Sequence, residues 1–238
     1  MNTRPYIIIN DRPSWQVQGL LIRSLPPVAM PKMRTQIEEI DGRDGDIVTP
    51  LGFEAYDKTV EIGLTYNYDI DDVISYFNSS GRVVFSNEPE KYYKFAIYDT
   101  INFERLIRFR TATVKFHVQP FKYSDVEGEK RFSFSGSSGE LTIRNSGNYF
   151  SRPTISITGT GIVNLSLNGN QIFVIDFDTT ETITIDTEQM NAYGADGTLK
   201  NRKITGEYDN FLLNPGNNVV SFTGAVQGIT INNYSRWL

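Results

Sequence analysis

The sequence predicts a mainly β protein built as two β-sandwich domains, the first carrying one α-helix and a projecting β-hairpin. Three observations predict it. Aromatics make up 13% of the 238 residues, with 15 Phe and 13 Tyr, and with Ile and Thr they suit pleated, half-buried strands. Only one stretch repeats its apolar residues at helical spacing. From Leu141 onward, short apolar runs recur at roughly eight-to-twelve-residue intervals with turn residues between them, the pattern of a sandwich.

In chain order, Tyr6 to Ile9 and Val17 to Leu25 read as strands separated by an Asn-Asp-Arg-Pro turn, and Pro26-Pro27 ends the second. Arg34 to Ile40, the Gly-punctuated loop Asp41-Gly42-Arg43-Asp44-Gly45-Asp46, and Ile47-Val48 predict a hairpin that projects from the body. Ala55 to Tyr66 continues as strand. The helix spans 69–80: Ile70, Val73, Ile74 and Phe77 share one face, Asp69 or Asp71 caps it, and Gly81 is placed to end it. Strands are then expected at Arg82–Phe85, Tyr92–Tyr98 and Arg105–Val118.

Ser124 to Glu140, rich in Gly and Ser, is the linker candidate and puts the domains at 1–128 and 129–238. Phe132 and Phe134 belong to the first strand of the second domain. Its further strands are expected at Leu141–Arg144, Thr154–Thr158, Ile162–Leu167, Gln171–Phe177, Thr182–Asp186, Leu199–Ile204, Asn218–Phe222 and Gly228–Tyr234. Asn168-Gly169 between apolar runs is a strong two-residue hairpin signal. Phe211 to Phe222 predicts another hairpin, with Pro215 and Gly216 supplying the φ values of a type II turn.

The chemistry-bearing residues are sparse. Without cysteine and with one histidine, His117, thiolate metal sites and Ser-His or Cys-His nucleophiles lack their parts. His117 lies inside a β run and reads as a structural strand residue. The Asp41–Asp46 loop misses the calcium-loop spacing from either start, and Gly159-Thr160-Gly161 lacks the third glycine of a dinucleotide fingerprint. No carboxylate pair singles itself out for glycoside hydrolysis. The reading is therefore not an enzyme, with no cofactor and no metal. A net charge of −5 argues against nucleic-acid binding, and no stretch is apolar enough to span a membrane or serve as a signal core. The chain is expected to be made and assembled in the cytoplasm, unless a non-Sec route exports it.

The order of these elements resembles the distal tail proteins of siphophages, a Gram-positive phage tail-component family. In the first half the likeness rests on Ile37-Glu38-Glu39-Ile40-Asp41-Gly42-Arg43-Asp44-Gly45, on the helix leading into Gly81-Arg82-Val83, and on Gln119-Pro120-Phe121-Lys122-Tyr123. In the second it rests on Asn145-Ser146-Gly147, Arg152-Pro153-Thr154-Ile155, Ile185-Asp186, a Tyr193-containing loop and Leu213-Asn214-Pro215-Gly216-Asn217-Asn218. Asp186-Thr187-Glu188 departs from the family by lacking a cysteine or aromatic.

The resemblance implies an N-terminal ring-forming sandwich and a galectin-like C-terminal sandwich. It implies a structural virion protein, a hexameric hub of one ring or two stacked rings at the end of a long non-contractile tail. Partners implied are the tail-tube protein, a tail-associated lysin or tail-fibre protein, and receptor-binding proteins. Ring contacts would come from Arg34, Ile37, Glu39, Arg43, Asp44 and Asp46 of the hairpin. Tyr193, Tyr208 and Trp237 are candidates for partner or glycan contact. The alternative reading is a carbohydrate-binding module of an adaptor that contacts cell-surface glycans.

Overall fold

The computed structural model describes residues 4–124 and 128–238 and is mainly β. The chain divides into two compact units, 1–123 and 124–237.

In the first unit, β1 (Ile7–Ile9) turns into β2 (Arg12–Pro13) through Asn10 and Asp11, both at positive φ, 45° and 68°. Asn and Asp tolerate that region, which a tight primed turn requires. A 3-10 turn at Ser14–Gln16 follows, so β3 (Leu20–Ser24) starts three residues later than the apolar pattern suggests. β4 (Met33–Glu39) and β5 (Asp46–Phe53) form the expected hairpin, and β6 (Tyr56–Leu64) re-enters the body. Helix α1 (Ile70–Phe77) is capped by Asp69, whose carboxylate accepts from the Asp71 and Asp72 amides; β7 (Ser80–Phe85) and β8 (Tyr92–Ala96) come next. Gly81 does not end the helix. It sits inside β7 at φ 134°, packed on Asn10.

The expected strand Arg105–Val118 is corrected in its first half. Residues Phe103–Phe109 form a second helix, α2, and β9 is Thr111–Tyr123. The apparent alternation from Leu106 to Arg110 was coincidental: Leu106 is buried, while Arg108 is exposed. Asn102 caps the helix through its Oδ1, which accepts from the Arg105 amide at 2.7 Å, and Arg110 at φ 58° ends it. The antiparallel sheet runs β2-β1-β7-β8-β9-β6-β3. It buries one face around α1, with Phe116 at the centre, 5.3 Å from Phe95, 5.6 Å from Phe85 and 6.4 Å from Phe77 between ring centroids.

The second unit contains β10 (Glu129–Ser133), β11 (Ser138–Asn145), β12 (Thr154–Leu167), β13 (Asn170–Asp186), β14 (Asn191–Gly194), β15 (Ile204–Gly206) and β16 (Gly216–Asn232). Six runs expected as separate strands are thus three long ones. β12 and β16 carry register shifts midway, around Thr158–Asn164, and β12 and β13 shift at Gly159/Gly161. Such bulges bend a strand sharply. Beyond them, the first half of β12 pairs with the second halves of β13 and β16, and its second half pairs with their first halves. The two layers of the sandwich are therefore the two arms of the same bent strands. Ile155, Ile157, Ile183, Ile185, Ile229 and Ile231 of one layer share a core with Leu165, Phe173, Ile175, Val220 and Phe222 of the other.

Two further expectations are revised. Leu199–Ile204 is not one strand: Leu199 makes an isolated bridge to Tyr193, Asn201–Lys203 is a 3-10 turn, and strand begins at Ile204. Phe211 to Phe222 is not a hairpin. Gly216 has the expected positive φ, 93°, but Leu213 exchanges both backbone hydrogen bonds with Ser151, at 2.9 and 3.0 Å, instead of with β16. Asn218 holds the turn from inside, accepting from the Asn214 amide and donating to the Asn214 carbonyl. Asn168-Gly169, by contrast, makes the two-residue hairpin between β12 and β13 with φ of 51° and 84°.

Candidate functional site

The hairpin β4–β5 is a two-stranded sheet of its own. Seven paired residues at about 3.4 Å each give it a reach of roughly 24 Å. Met33 pairs with Phe53, Ile37 with Val48 and Glu39 with Asp46. Because side chains alternate across the pleat, Thr35, Ile37, Glu39, Asp46, Val48 and Pro50 share one face. That face is open to solvent, with Ile37 at 58% and Val48 at 56% exposure, and every β4 residue on the other face is exposed as well. An isolated two-stranded ribbon is marginal in water, and directly opposed like charges such as Glu39 and Asp46 weaken it further. A ribbon of this kind gains its stability from whatever it packs against.

Charge is graded along the ribbon. Lys32 and Arg34 lie at the root, and Arg34 donates to the Leu51 carbonyl. Between 38 and 46 five carboxylates face one guanidinium, that of Arg43. The tip thus carries four net negative charges of the five on the whole chain. Of the predicted contact residues, Arg34, Ile37, Glu39, Arg43, Asp44 and Asp46 all fall on this exposed ribbon.

The root is held from the body. Side chains of Asn87, Lys58 and Tyr56 donate in turn to the carbonyls of Pro26 (2.9 Å), Pro27 (2.9 Å) and Ala29 (3.3 Å), fixing the strap that leads into β4. Phe53, at the far end of β5, packs edge-on against Phe121 of β9. Lys58 is buried over the Tyr93 ring, 4.8 Å from its centroid. Burial pulls its ammonium below the usual lysine range, and the neighbouring Glu88 charge opposes that fall. Burial alone would raise the Glu88 carboxyl. Hydrogen bonds from Lys122 and the Tyr93 hydroxyl, at 2.9 and 2.8 Å, outweigh it and hold the group below the ordinary carboxylate value.

Helix α2 presents a second exposed surface, missed by reading its residues as strand. Phe109 is 66% exposed, and a groove of about 630 Å³ beside it is lined by Asn102, Glu104, Arg105, Arg108 and Thr111. Asn102 as a cap, Glu104 in the first turn and Arg108 in the last are the sequence signals of this helix.

The predicted aromatic contacts of the second unit lie on separate elements. Tyr193 is half-buried on β14, with Asp186 and Tyr234 as its electrostatic neighbours. Tyr208 packs edge-on against core residue Phe173, and Trp237 is half-buried near the C-terminus. His117 is on β9 with Nδ1 2.9 Å from Asp57 of β6. Among the described residues no group of three or more His, Asp or Glu is placed to hold a metal ion, and no helix is long and apolar enough to cross a membrane.

No family model and no curated protein matches this chain. Among solved structures, the SPP1 Dit protein, presented as a paradigm of hub adsorption apparatus in phages infecting Gram-positive bacteria, superposes with a TM-score of 0.72. The match covers 99% of this chain and 100% of that one at 15% identity, so the likeness is one of fold. Two structures of the phage P2 baseplate in its activated conformation, with Ca and with Sr, match 96% and 97% of the chain. Their TM-scores are 0.47 and 0.42, at 10% and 9% identity.

Proposed function

We propose that this chain is a structural hub at the distal end of a long non-contractile phage tail, without catalysis of its own. In this reading copies of the first unit close into a hexameric ring, and the galectin-like second unit serves as a platform. The ring joins the tail-tube protein to a tail-associated lysin or fibre and to receptor-binding proteins, so that the protein resides at the virion tail tip. The observation that carries the reading is a fold shared end to end with a phage hub protein.

The physical support is the β4–β5 ribbon. A closed ring needs two different complementary patches per subunit. A ribbon exposed on both faces, apolar in its middle and acidic at its tip, is one such patch. The contact residues in this reading are Arg34, Ile37, Glu39, Arg43, Asp44 and Asp46, while Tyr193 and Trp237 are left for partners of the second unit. Size-exclusion chromatography with light scattering tests it: ring-sized particles are expected at micromolar concentration, and a stable monomer there contradicts it.

A further inference from the structure

The acidic tip needs a basic counterpart, and the first unit offers few. Arg12 pairs with Asp72, Arg82 with Asp11, Lys115 with Asp99, and buried Lys122 with Glu88. The arginines around α2 are different. Arg105 has no ion-pair partner among the described residues and is exposed. The ion-pair partner of Arg108 is Glu104, at 3.5 Å with both side chains largely in solvent, a contact easily exchanged, and its guanidinium lies over the exposed Phe109 ring, 5.7 Å from the centroid. Arg110 and Arg23 stand alongside without a carboxylate partner among the described residues: Arg23 donates to the Arg110 carbonyl at 3.0 Å, and Arg110 donates to the Thr65 carbonyl at 3.1 Å and lies over the Tyr68 ring. Against these four cations stand Glu104 and Glu61, leaving the patch at net +2. The groove it borders also holds the exposed ring of Phe109.

From this complementarity we infer that the tip of one copy docks into the α2 groove of a second copy. Asp44 and Asp46 would meet Arg105 and Arg108, and the apolar Ile37/Val48 step would lie toward Phe109. Carboxylate and guanidinium match in two-pronged fashion, which fixes register as well as attraction. The occupant is a second copy because the acidic tip and the groove edged by Arg105 and Arg108 are complementary in charge and both belong to this chain. The inference rests on the hairpin-mediated assembly above and adds its acceptor.

The absence of cysteine allows a direct test with the full chain. Asp44→Cys and Arg108→Cys chains, each with one thiol, are mixed and treated with a short bis-maleimide, because an Asp–Arg contact holds the two Cβ atoms too far apart for a direct disulfide. The expected product is a cross-link between the two kinds of chain. In parallel, R105E/R108E should raise the concentration for half-assembly by about tenfold or more, and adding D44R/D46R to it should restore assembly. Circular dichroism melts of R105E/R108E report folding, and the single Arg108→Cys chain keeps the question answerable if that variant is unstable. Unchanged assembly of R105E/R108E with no mixed cross-link overturns the acceptor while leaving the ring reading intact. A wild-type chain that stays monomeric overturns both.

Discussion

Ile37→Asp/Val48→Asp separates the ribbon's role in assembly from any role in folding. The two side chains face each other across the β4–β5 register and contribute nothing to the buried core. Exposed substitutions of this kind change monomer stability by about 0.5 kcal/mol or less each, and with the two carboxylates opposed across the strands the pair should stay within about 1 kcal/mol. Burial in an interface would remove the remaining 58% of Ile37 and 56% of Val48 from solvent. Full burial of such a side chain stabilises by about 1.5–3 kcal/mol, so the pair would contribute roughly 2–3 kcal/mol per interface. That corresponds to a loss of roughly 30- to 200-fold in each association constant. Thermal melts of dilute protein and light scattering across a concentration series give the two readouts. An unchanged assembly midpoint refutes the interface role, and a melt lowered by more than about 1 kcal/mol refutes the claim that the ribbon is idle in the monomer.

Other outcomes follow from the packing and charge of each unit. Phe116→Ala should cost about 3–5 kcal/mol in the first unit, because it empties the centre of its aromatic core; a urea titration reads it. Glu88 is held below its ordinary value of 4.5, so its contribution is complete above that value and is lost as pH falls through the lowered one. Stability of the wild type should therefore decline more steeply below about pH 4.5 than that of Glu88→Gln, as measured by melts from pH 6 to 3. Gly216→Val places a β-branched residue at φ 93°, where no neighbouring atom crowds it, so backbone strain of about 1–3 kcal/mol is the whole effect. It should weaken the second unit while assembly survives, and loss of assembly with that unit folded would contradict the division of labour.

The features legible in the sequence were those written in consecutive residues. Asp69 and the Ile70/Val73/Phe77 spacing specify α1 locally, Asn168-Gly169 specifies a primed turn, and the glycines at 42 and 45 mark a hairpin tip. What was not legible depends on partners far along the chain. The joining of 154–158 with 162–167 into one bent strand depends on bulges opposite β13 and β16. The pairing of Leu213 with Ser151 spans more than sixty residues and overrode a good local turn signal. α2 was lost to a chance alternation that continued into the true strand β9, although Asn102 and Arg105 carried its cap. The exposed ribbon was foreseen from its polar loop; its graded charge and the groove beside α2 required the fold.

The central claim is closure of a ring through the first unit, and native mass spectrometry of the purified chain tests it most directly. Six chains of 27.0 kDa predict a particle of about 162 kDa, or twice that for stacked rings, dispersing when Ile37 and Val48 are both replaced by Asp. A single 27.0 kDa species at micromolar concentration, with the melts showing a folded protein, would contradict it.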